Sequence, residues 1–197
     1  MLKREDIFLK ELRERTANAH QKLEENRFSR SIVNENISEA DYITFLSRFY
    51  GFVLPLENSI YTNAEKYLPD AASRKRAQLL YNDLLNLGLT EQNIKDLPLC
   101  SDMPEFDETI SSLGAMYVFE GSTLGGQVIS RHLQKALPYI SDKSITFFKG
   151  HGKETGPMWK KFLDNFCETA VTENKQEEII SVSENTFLKF YNWLQQA

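Results

Sequence analysis

The sequence predicts an all-α protein, a single-domain bundle of several helices. Apolar residues recur at three- and four-residue steps along most of the 197 residues, as they do on one face of a helix. The β-branched residues are scattered and do not alternate, so no sheet is expected. Hydrophobic residues make up 41% of the chain, which is enough for one core without disulfides or a structural metal. We therefore expect residues 1–197 to form one domain.

The first two helices are predicted from apolar periodicity and one capping residue. The second helix begins after Ser38, whose side chain can cap it. It passes through DYITFLSRFYGFVLPLE, and Pro55 falls within it, where a proline can bend a helix. The first helix carries its apolar residues at helical spacing, namely Ile7, Phe8, Leu12, Ala19 and Leu23.

The middle of the chain predicts a longer helix, a short helix and a loop. A third helix is expected from about Ala71 to Leu87, with Gly88 as its stop. Thr90 can cap a short helix after it. The segment from Leu97 to Asp107 contains two prolines and is interpreted as a loop.

The last part of the chain predicts three further helices. A long helix is expected to begin near Phe106 and to pass through LGAMYVFEGSTLGGQVISRHLQKAL before Pro138. The segment FFKGHGKETGP is a glycine-rich connection, and Pro157 suits the first turn of the next helix. The final helix ends in TFLKFYNWLQQA.

Charge and cysteine content argue against several classes of protein. The formal net charge is −5, whereas a nucleic-acid-binding protein is usually basic. Cys100 and Cys167 form no CxxC motif and are expected to be reduced thiols in the cytoplasm. The segment MLKREDIFLKELRERT lacks the apolar run of a signal peptide, and no stretch approaches the roughly 18 apolar residues of a membrane span.

His20 is the first candidate for chemistry, because charged and polar residues share its helix face. Arg13 and Thr16 lie seven and four residues before it, and Glu24 lies four residues after it. One imidazole nitrogen can ligate a metal while the Glu24 carboxylate holds the other. Such spacings are common, however, so this segment alone favours a surface histidine in an ion-paired helix.

Three glycines lie within a helical pattern in EGSTLGGQVISRHL. Each of Gly121, Gly125 and Gly126 costs up to about 1 kcal/mol relative to alanine in a helix interior. Close approach of the backbone to a bulky ligand is one reason to keep them, and tight helix packing or a kink is another. No lysine and Ser/Thr pair follows the glycines, which disfavours a phosphate-binding loop.

The remaining candidates carry weaker signals. Lys160 and Lys161 follow Trp159 and can bind carboxylates, although a solvated helix face is the commoner role of such a pair. His132 is expected at a helix surface and His151 in a flexible loop, and neither has a partner at metal-ligand spacing. No GxSxG, HExxH or Cys/His nucleophile arrangement is present.

Taken together, these segments resemble the haem oxygenase family. The stretch LRERTANAHQKLEENRFSRSI is similar to the family's proximal helix, and YVFEGSTLGGQVISRHL is similar to its distal helix. The form EGSTLGG most resembles the bacterial subgroup that accompanies bacteriophytochromes. The aromatic runs DYITFLSRFYGFVLPLE and TFLKFYNWL also fit, so the resemblance extends over nearly the whole chain.

The resemblance implies a haem oxygenase-like bundle that holds haem between a proximal and a distal helix, with His20 as the iron ligand. Gly121 and Gly125 would let the distal helix pass close over the haem face. Many family members have an aspartate after the first distal glycine, where it organises a water network, and Ser122 takes that catalytic position here. Further haem contacts are expected from Arg13, Thr16, Glu24, Gly126, Lys160, Lys161 and Phe187.

The resemblance also implies the reaction. Haem, as both substrate and cofactor, would be opened by molecular oxygen to biliverdin, carbon monoxide and ferrous iron. The sequence shows no flavin or nicotinamide fingerprint, so an external reductant such as a ferredoxin or a reductase would supply the electrons. A bacteriophytochrome would accept the biliverdin.

Two other functions remain open at this level. A non-catalytic haem carrier or sensor would keep His20 but lack oxygen activation, which Ser122 would permit. A cofactor-free helical enzyme of the thiaminase-like sort would bind no haem and would need a catalytic cysteine or carboxylate cluster. Cys100, in a proline-bounded loop, is a poor candidate for that role.

Overall fold

The computed structural model describes residues 3–106 and 109–196 and shows an all-α fold. No strand is present in these two ranges, as the sequence predicts. None of the helices in the described residues combines the length and hydrophobicity that a membrane crossing requires. The described helices are α1 (Arg4–Glu24), α2 (Arg27–Val33), α3 (Glu39–Ala64), α4 (Ala77–Asn86), α5 (Glu91–Lys95), α6 (Ser112–Ala136), α7 (Thr155–Thr172) and α8 (Gln176–Gln195).

The C-terminal helix α8 joins the two helices that are most important for the site. It packs against α1 on one side and against α6 on the other, while α3 contacts α4, α6 and α8. A cluster of phenylalanines fills the space between α3, α6 and α8. Phe52 lies 4.8 Å from Phe190 and 6.0 Å from Phe119, measured between ring centroids. These aromatic contacts fix α6 relative to the rest of the bundle.

Several helix ends follow the predicted local chemistry. Ser38 accepts a hydrogen bond from the Asp41 backbone N–H and caps α3, which continues through Pro55. Thr90 and Asn93 form a reciprocal capping box at the start of α5. Gly88 follows α4 with a φ of 93°, a left-handed conformation that favours glycine and ends the helix.

The stretch LRERTANAHQKLEENRFSRSI forms parts of two helices, α1 and α2, whereas its sequence resembles one continuous helix. The Asn26 side chain accepts hydrogen bonds from the backbone N–H groups of Phe28 and Ser29 and so begins α2. Phe28 and Ile32 are buried on the inner face of this short helix. Helix α2 was not predicted, because the helical pattern runs on through Asn26, and asparagine is also a good N-cap residue.

Two predicted boundaries are wrong. The helix expected from Ala71 to Leu87 divides into a 3₁₀ turn at Ala71–Arg74 and the α-helix Ala77–Asn86. The buried Glu57 carboxylate accepts the first N–H groups of the second piece, from Arg76 and Ala77, and this cap sets its start.

The long helix begins later than expected, at Ser112 and not near Phe106. The 3₁₀ turn Thr109–Ser111 precedes it. Pro157 does lie in the first turn of α7, as predicted. Asp107, at the end of the predicted loop, lies outside the described residues, as do Met1, Leu2 and Ala197 at the ends of the predicted domain.

Candidate functional site

A cavity of about 700 Å³ opens between α1 and α2 on one side and α6 on the other. Its lining is mainly apolar and aromatic, with a few polar groups, which is the usual composition of a small-molecule site. Three large apolar side chains that line it are unusually exposed: Val33 (52%), Leu124 (41%) and Val128 (43%). A clustered apolar surface of this kind is typical of a ligand-binding groove or of an interaction surface.

His20 lies on the α1 side of this cavity and its ring is open to it. The side chain is 57% exposed, and its ring meets the Phe187 ring edge-on at a centroid distance of 5.7 Å. The Nδ1 atom lies 3.7 Å from an oxygen of Glu24, which is close but longer than a hydrogen bond. Because Nδ1 faces Glu24, Nε2 is the nitrogen that is free to bind a ligand.

The position of His20 depends on how α1 is held against α8. Arg15 donates hydrogen bonds to Glu184 and Glu177 of α8, with its Nη2 2.6 Å from a Glu184 oxygen. These two carboxylates raise the pKa of Arg15 further above its ordinary value. Phe187 follows one turn after Glu184 on α8, so the same contact places the aromatic ring beside His20.

The three glycines of α6 differ in what surrounds them. A β-carbon on Gly125 would meet no heavy atom within 4 Å, and one on Gly121 would lie 3.4 Å from the Trp159 ring. A β-carbon on Gly126 would lie only 2.7 Å from the Phe148 backbone oxygen. Gly126 therefore permits tight packing against the segment before α7, whereas Gly125 leaves open space beside the cavity.

Ser122 belongs to a small polar group on the α6 side. Its hydroxyl donates to the Phe119 carbonyl oxygen at 2.7 Å. The Nη2 atom of Arg76 donates to the same carbonyl at 2.5 Å and to the Ser122 hydroxyl at 3.4 Å. Arg76 is only 4% exposed, and its guanidinium also lies over the Phe147 ring. Arg76 is not among the residues predicted from the sequence, because the run SRKRA has the composition of a solvated surface.

Arg13 lines the cavity from α1 and is exposed beside Tyr117. Burial raises the pKa of Tyr117, and the nearby Arg13 charge partly offsets this effect. Arg13 therefore lies at the edge of the cavity, where it can reach an acidic group of a bound ligand without being desolvated.

Three residues expected to contact a ligand do not line the cavity. Thr16 is buried and donates its hydroxyl to the Leu12 carbonyl at 2.8 Å. Lys160 pairs with Asp164 at 2.5 Å, and Lys161 pairs with Asp70 at 2.7 Å, both at the surface. These two lysines face away because Trp159, the residue before them, is the one that α7 directs into the cavity. Glu24, Gly126 and Phe187 do line it.

The other two histidines lie elsewhere. His132 is at the helix surface, as predicted, with Nδ1 3.1 Å from a Glu35 oxygen. His151 was predicted to lie in a flexible loop, but the structure holds it in place. Its backbone N–H donates a hydrogen bond to the Thr155 hydroxyl, and its Nε2 is buried without a partner in the described part of the chain. Burial lowers the pKa of its imidazole. Among residues 3–106 and 109–196, no group of three His, Cys, Asp or Glu side chains can hold a metal ion.

Comparison with known proteins gives one family and one fold. Residues 6–196 match the family model described as "Heme oxygenase". No curated protein is similar enough in sequence to count as a match.

Three of the solved structures that resemble the chain each cover 96% of it. The heme oxygenase from Leptospira interrogans has a TM-score of 0.77 and 19% identity, with 99% of that chain covered. The NO- and CO-bound heme oxygenase from Neisseria meningitidis has a TM-score of 0.77 and 23% identity, with 90% of that chain covered. Heme oxygenase-1 from the cyanobacterium Synechocystis, in complex with heme, has a TM-score of 0.69 and 15% identity, with 91% covered. At these identities the three structures establish a shared fold.

Proposed function

The chain belongs to the haem oxygenase family and is an enzyme that degrades haem, and we propose that it binds this substrate in the cavity between α1 and α6, with His20 as the iron ligand. The observation that carries the proposal is the pairing of an open imidazole on α1 with the open space at Gly125 on α6, across one apolar cavity. Haem iron needs one strong protein ligand and one face that remains accessible. This cavity offers both.

The residues present fit a flat, largely apolar ligand with an iron atom. The exposed side chains of Val33, Leu124 and Val128 would be covered by such a ring system. Glu24 lies close enough to the Nδ1 of His20 to form a hydrogen bond after a small movement, and it would then orient the ring and strengthen Nε2 as a ligand. The solved cyanobacterial relative holds heme, and the Neisseria relative binds NO and CO, which supports the same use of the cavity here.

Arg13 is the best candidate for holding a haem propionate. It is a cation at the edge of the cavity, and a propionate would remain near solvent there. Lys160 and Lys161 already pair with Asp164 and Asp70 at the surface and do not line the cavity, so we assign them no haem contact.

Bound haem supplies the iron that activates molecular oxygen and the meso carbon at which the ring opens, with biliverdin, carbon monoxide and ferrous iron as the products. The protein's own contribution is orientation. Because Gly121 and Gly125 carry no side chains, α6 can lie close to the ring and restrict the direction in which a small ligand extends. Ser122 offers a hydroxyl in place of the aspartate that many family members have at this position.

Other parts of the proposal rest on the resemblance in sequence. We expect residues 1–197 to act as one haem oxygenase-like domain, with electrons from an external ferredoxin or reductase. The bacteriophytochrome-associated subgroup, with a bacteriophytochrome as biliverdin acceptor, remains a proposal that rests on EGSTLGG. A cytoplasmic location is supported by Cys100 and Cys167, which are free and buried. The haem-carrier and thiaminase-like alternatives are set aside because the family is one of haem-degrading enzymes.

Haem titration followed by reduction in air tests the proposal. We expect a Soret band that saturates at one haem per chain, and then its replacement by the absorbance of biliverdin. A protein that binds no haem would contradict the assigned cavity. A stable haem complex that yields no biliverdin with a competent reductant would contradict the proposed products.

A further inference from the structure

Three ionisable side chains join α6 to the end of α2. The Glu35 carboxylate accepts hydrogen bonds from the Nζ of Lys135 at 3.0 Å and from the Nδ1 of His132 at 3.1 Å. Lys135 and then His132 lower the pKa of Glu35, so its carboxylate is charged near neutral pH. All three side chains are partly or largely exposed, and exposed ion pairs of this kind are weak and open readily.

These ion pairs lie just beyond one end of the haem cavity. Val33 of α2 and Val128 of α6 line the cavity from opposite sides. Glu35 follows Val33 by two residues, and His132 follows Val128 by one helical turn, so both lie next to cavity-lining residues. Glu35, His132 and Lys135 do not line the cavity themselves. Within the described residues, no other ion pair joins α1 or α2 to α6.

The backbone at Glu35 has a conformation that normally selects glycine. Its φ is 57°, in the left-handed region. The N–H of Glu35 donates to the Ile32 carbonyl and the N–H of Asn36 donates to the Ser31 carbonyl, each at 3.0 Å, which is the Schellman ending of a helix. Glycine is the usual residue at this position of the motif, because it has no β-carbon to clash. A glutamate here is unfavourable for the backbone and provides a carboxylate that reaches α6.

We propose that Glu35, His132 and Lys135 form a clamp that holds α6 against α2 and opens when a tetrapyrrole enters or leaves the cavity. This inference rests on the proposed haem site and assigns Glu35 as a positioning residue for the exchange of haem and biliverdin. The clamp does not touch the ring, so it controls the rates of entry and release and leaves the rate of ring opening unchanged. Its weak, exposed contacts suit a closure that opens once in each turnover.

The rate at which ferric haem transfers from the loaded protein to an excess of an apo-globin tests the clamp. We expect Glu35→Gln, which removes the charge but keeps the size of the side chain, to lose haem about three- to tenfold faster than the unsubstituted protein. Asp164→Asn is the matched control, because it breaks an exposed ion pair with Lys160 that lies away from the cavity, and its rate of haem loss should not change. Equal rates for Glu35→Gln and the unsubstituted protein would overturn the proposal.

Glu35→Gly separates the clamp from a structural role. Glycine suits the left-handed backbone, so the ligand-free Glu35→Gly protein should melt at the same temperature as the unsubstituted protein or at a higher one. It should nevertheless lose haem as fast as Glu35→Gln does and open the ring at an unaltered rate in a single turnover. A lower Tm together with slower ring opening would mean that Glu35 only supports the fold, and the clamp would be rejected.

Ionic strength tests whether charge holds the clamp closed. The difference in haem loss between Glu35→Gln and the unsubstituted protein should shrink at about 1 M salt, where the screening length falls to about 3 Å. A difference that is the same at low and high salt would contradict an ion-pair clamp. Absence of a Soret band in every protein would reject the haem site and the clamp with it, whereas a normal Soret band with equal rates of haem loss rejects the clamp alone.

Discussion

Gly125 and Gly126 are neighbours on α6, and alanine substitutions at the two positions are expected to change stability in opposite directions. In the ligand-free protein, a β-carbon on Gly125 meets no heavy atom within 4 Å. Alanine is preferred to glycine in a helix interior by about 1 kcal/mol. Gly125→Ala should therefore raise the free energy of unfolding by about 1 kcal/mol, which is a rise in Tm of about 2–4 °C for a protein of this size.

The neighbouring substitution introduces a collision that the helix propensity cannot offset. A β-carbon on Gly126 would lie 2.7 Å from the Phe148 backbone oxygen, and a backbone group yields less easily than the end of a flexible side chain. Overpacking of this kind costs about 1–3 kcal/mol, against the gain of about 1 kcal/mol from alanine. We expect Gly126→Ala to lower the Tm, by up to several degrees.

The Gly125→Ala substitution stabilises the ligand-free protein but is expected to impair the reaction with haem. A methyl group there extends into the space that the proposed substrate occupies, so Gly125→Ala should keep its fold and its ligation through His20 but form biliverdin more slowly. Larger side chains should be worse in order of size. Circular dichroism melts of the ligand-free proteins and the rate of biliverdin formation measure the two effects separately. A Gly125→Leu protein that forms biliverdin at an unaltered rate would refute the close approach of α6 to haem.

Three further substitutions test separate contacts. Glu24→Gln should lower the iron–histidine stretching frequency of the ferrous haem complex, because a neutral amide strengthens His20 as a ligand less than a carboxylate does, and an unchanged frequency would remove Glu24 from this role. Arg13→Glu should weaken binding of haem much more than of haem dimethyl ester, and an equal loss would mean that Arg13 holds no propionate. Asp70 has a pKa lowered to about 2 by its hydrogen bond to Arg74, so its stabilising effect is present above its ordinary pKa near 3.8 and is lost as pH falls towards 2. Asp70→Asn should consequently reduce stability at pH 7 but progressively less below pH 4 in denaturant titrations, whereas a pH-independent difference would contradict the ion pair.

Local capping chemistry explains which helices the sequence reveals. Ser38 and Thr90 cap the helices that follow them, because a cap needs only its own neighbours in the chain. The break at Asn26 was missed since the residues on both sides are compatible with one helix. The start of α4 depends on Glu57, which is about twenty residues away, and no local pattern reveals that contact.

In the candidate site, too, some features follow from spacing along the chain and others depend on tertiary contacts. His20 and Glu24 share a helix face by spacing alone, so their proximity was predictable. The different surroundings of Gly125 and Gly126 were not, because they depend on whether the Phe148 backbone or open space lies opposite. Arg76 was overlooked because only the packing of Phe119 and Phe147 around it distinguishes a buried arginine from a surface one.

Ligation of haem by His20, in the cavity between α1 and α6, is measured with the His20→Ala protein. Absorbance spectra of its haem complex, recorded with and without added imidazole, are compared with those of His132→Ala, a surface control. We expect His20→Ala to lose the histidine-ligated spectrum and biliverdin formation. Added imidazole should restore the spectrum, and His132→Ala should retain both the spectrum and biliverdin formation. A histidine-ligated spectrum in His20→Ala without imidazole, together with its loss in His132→Ala or His151→Ala, would contradict ligation by His20.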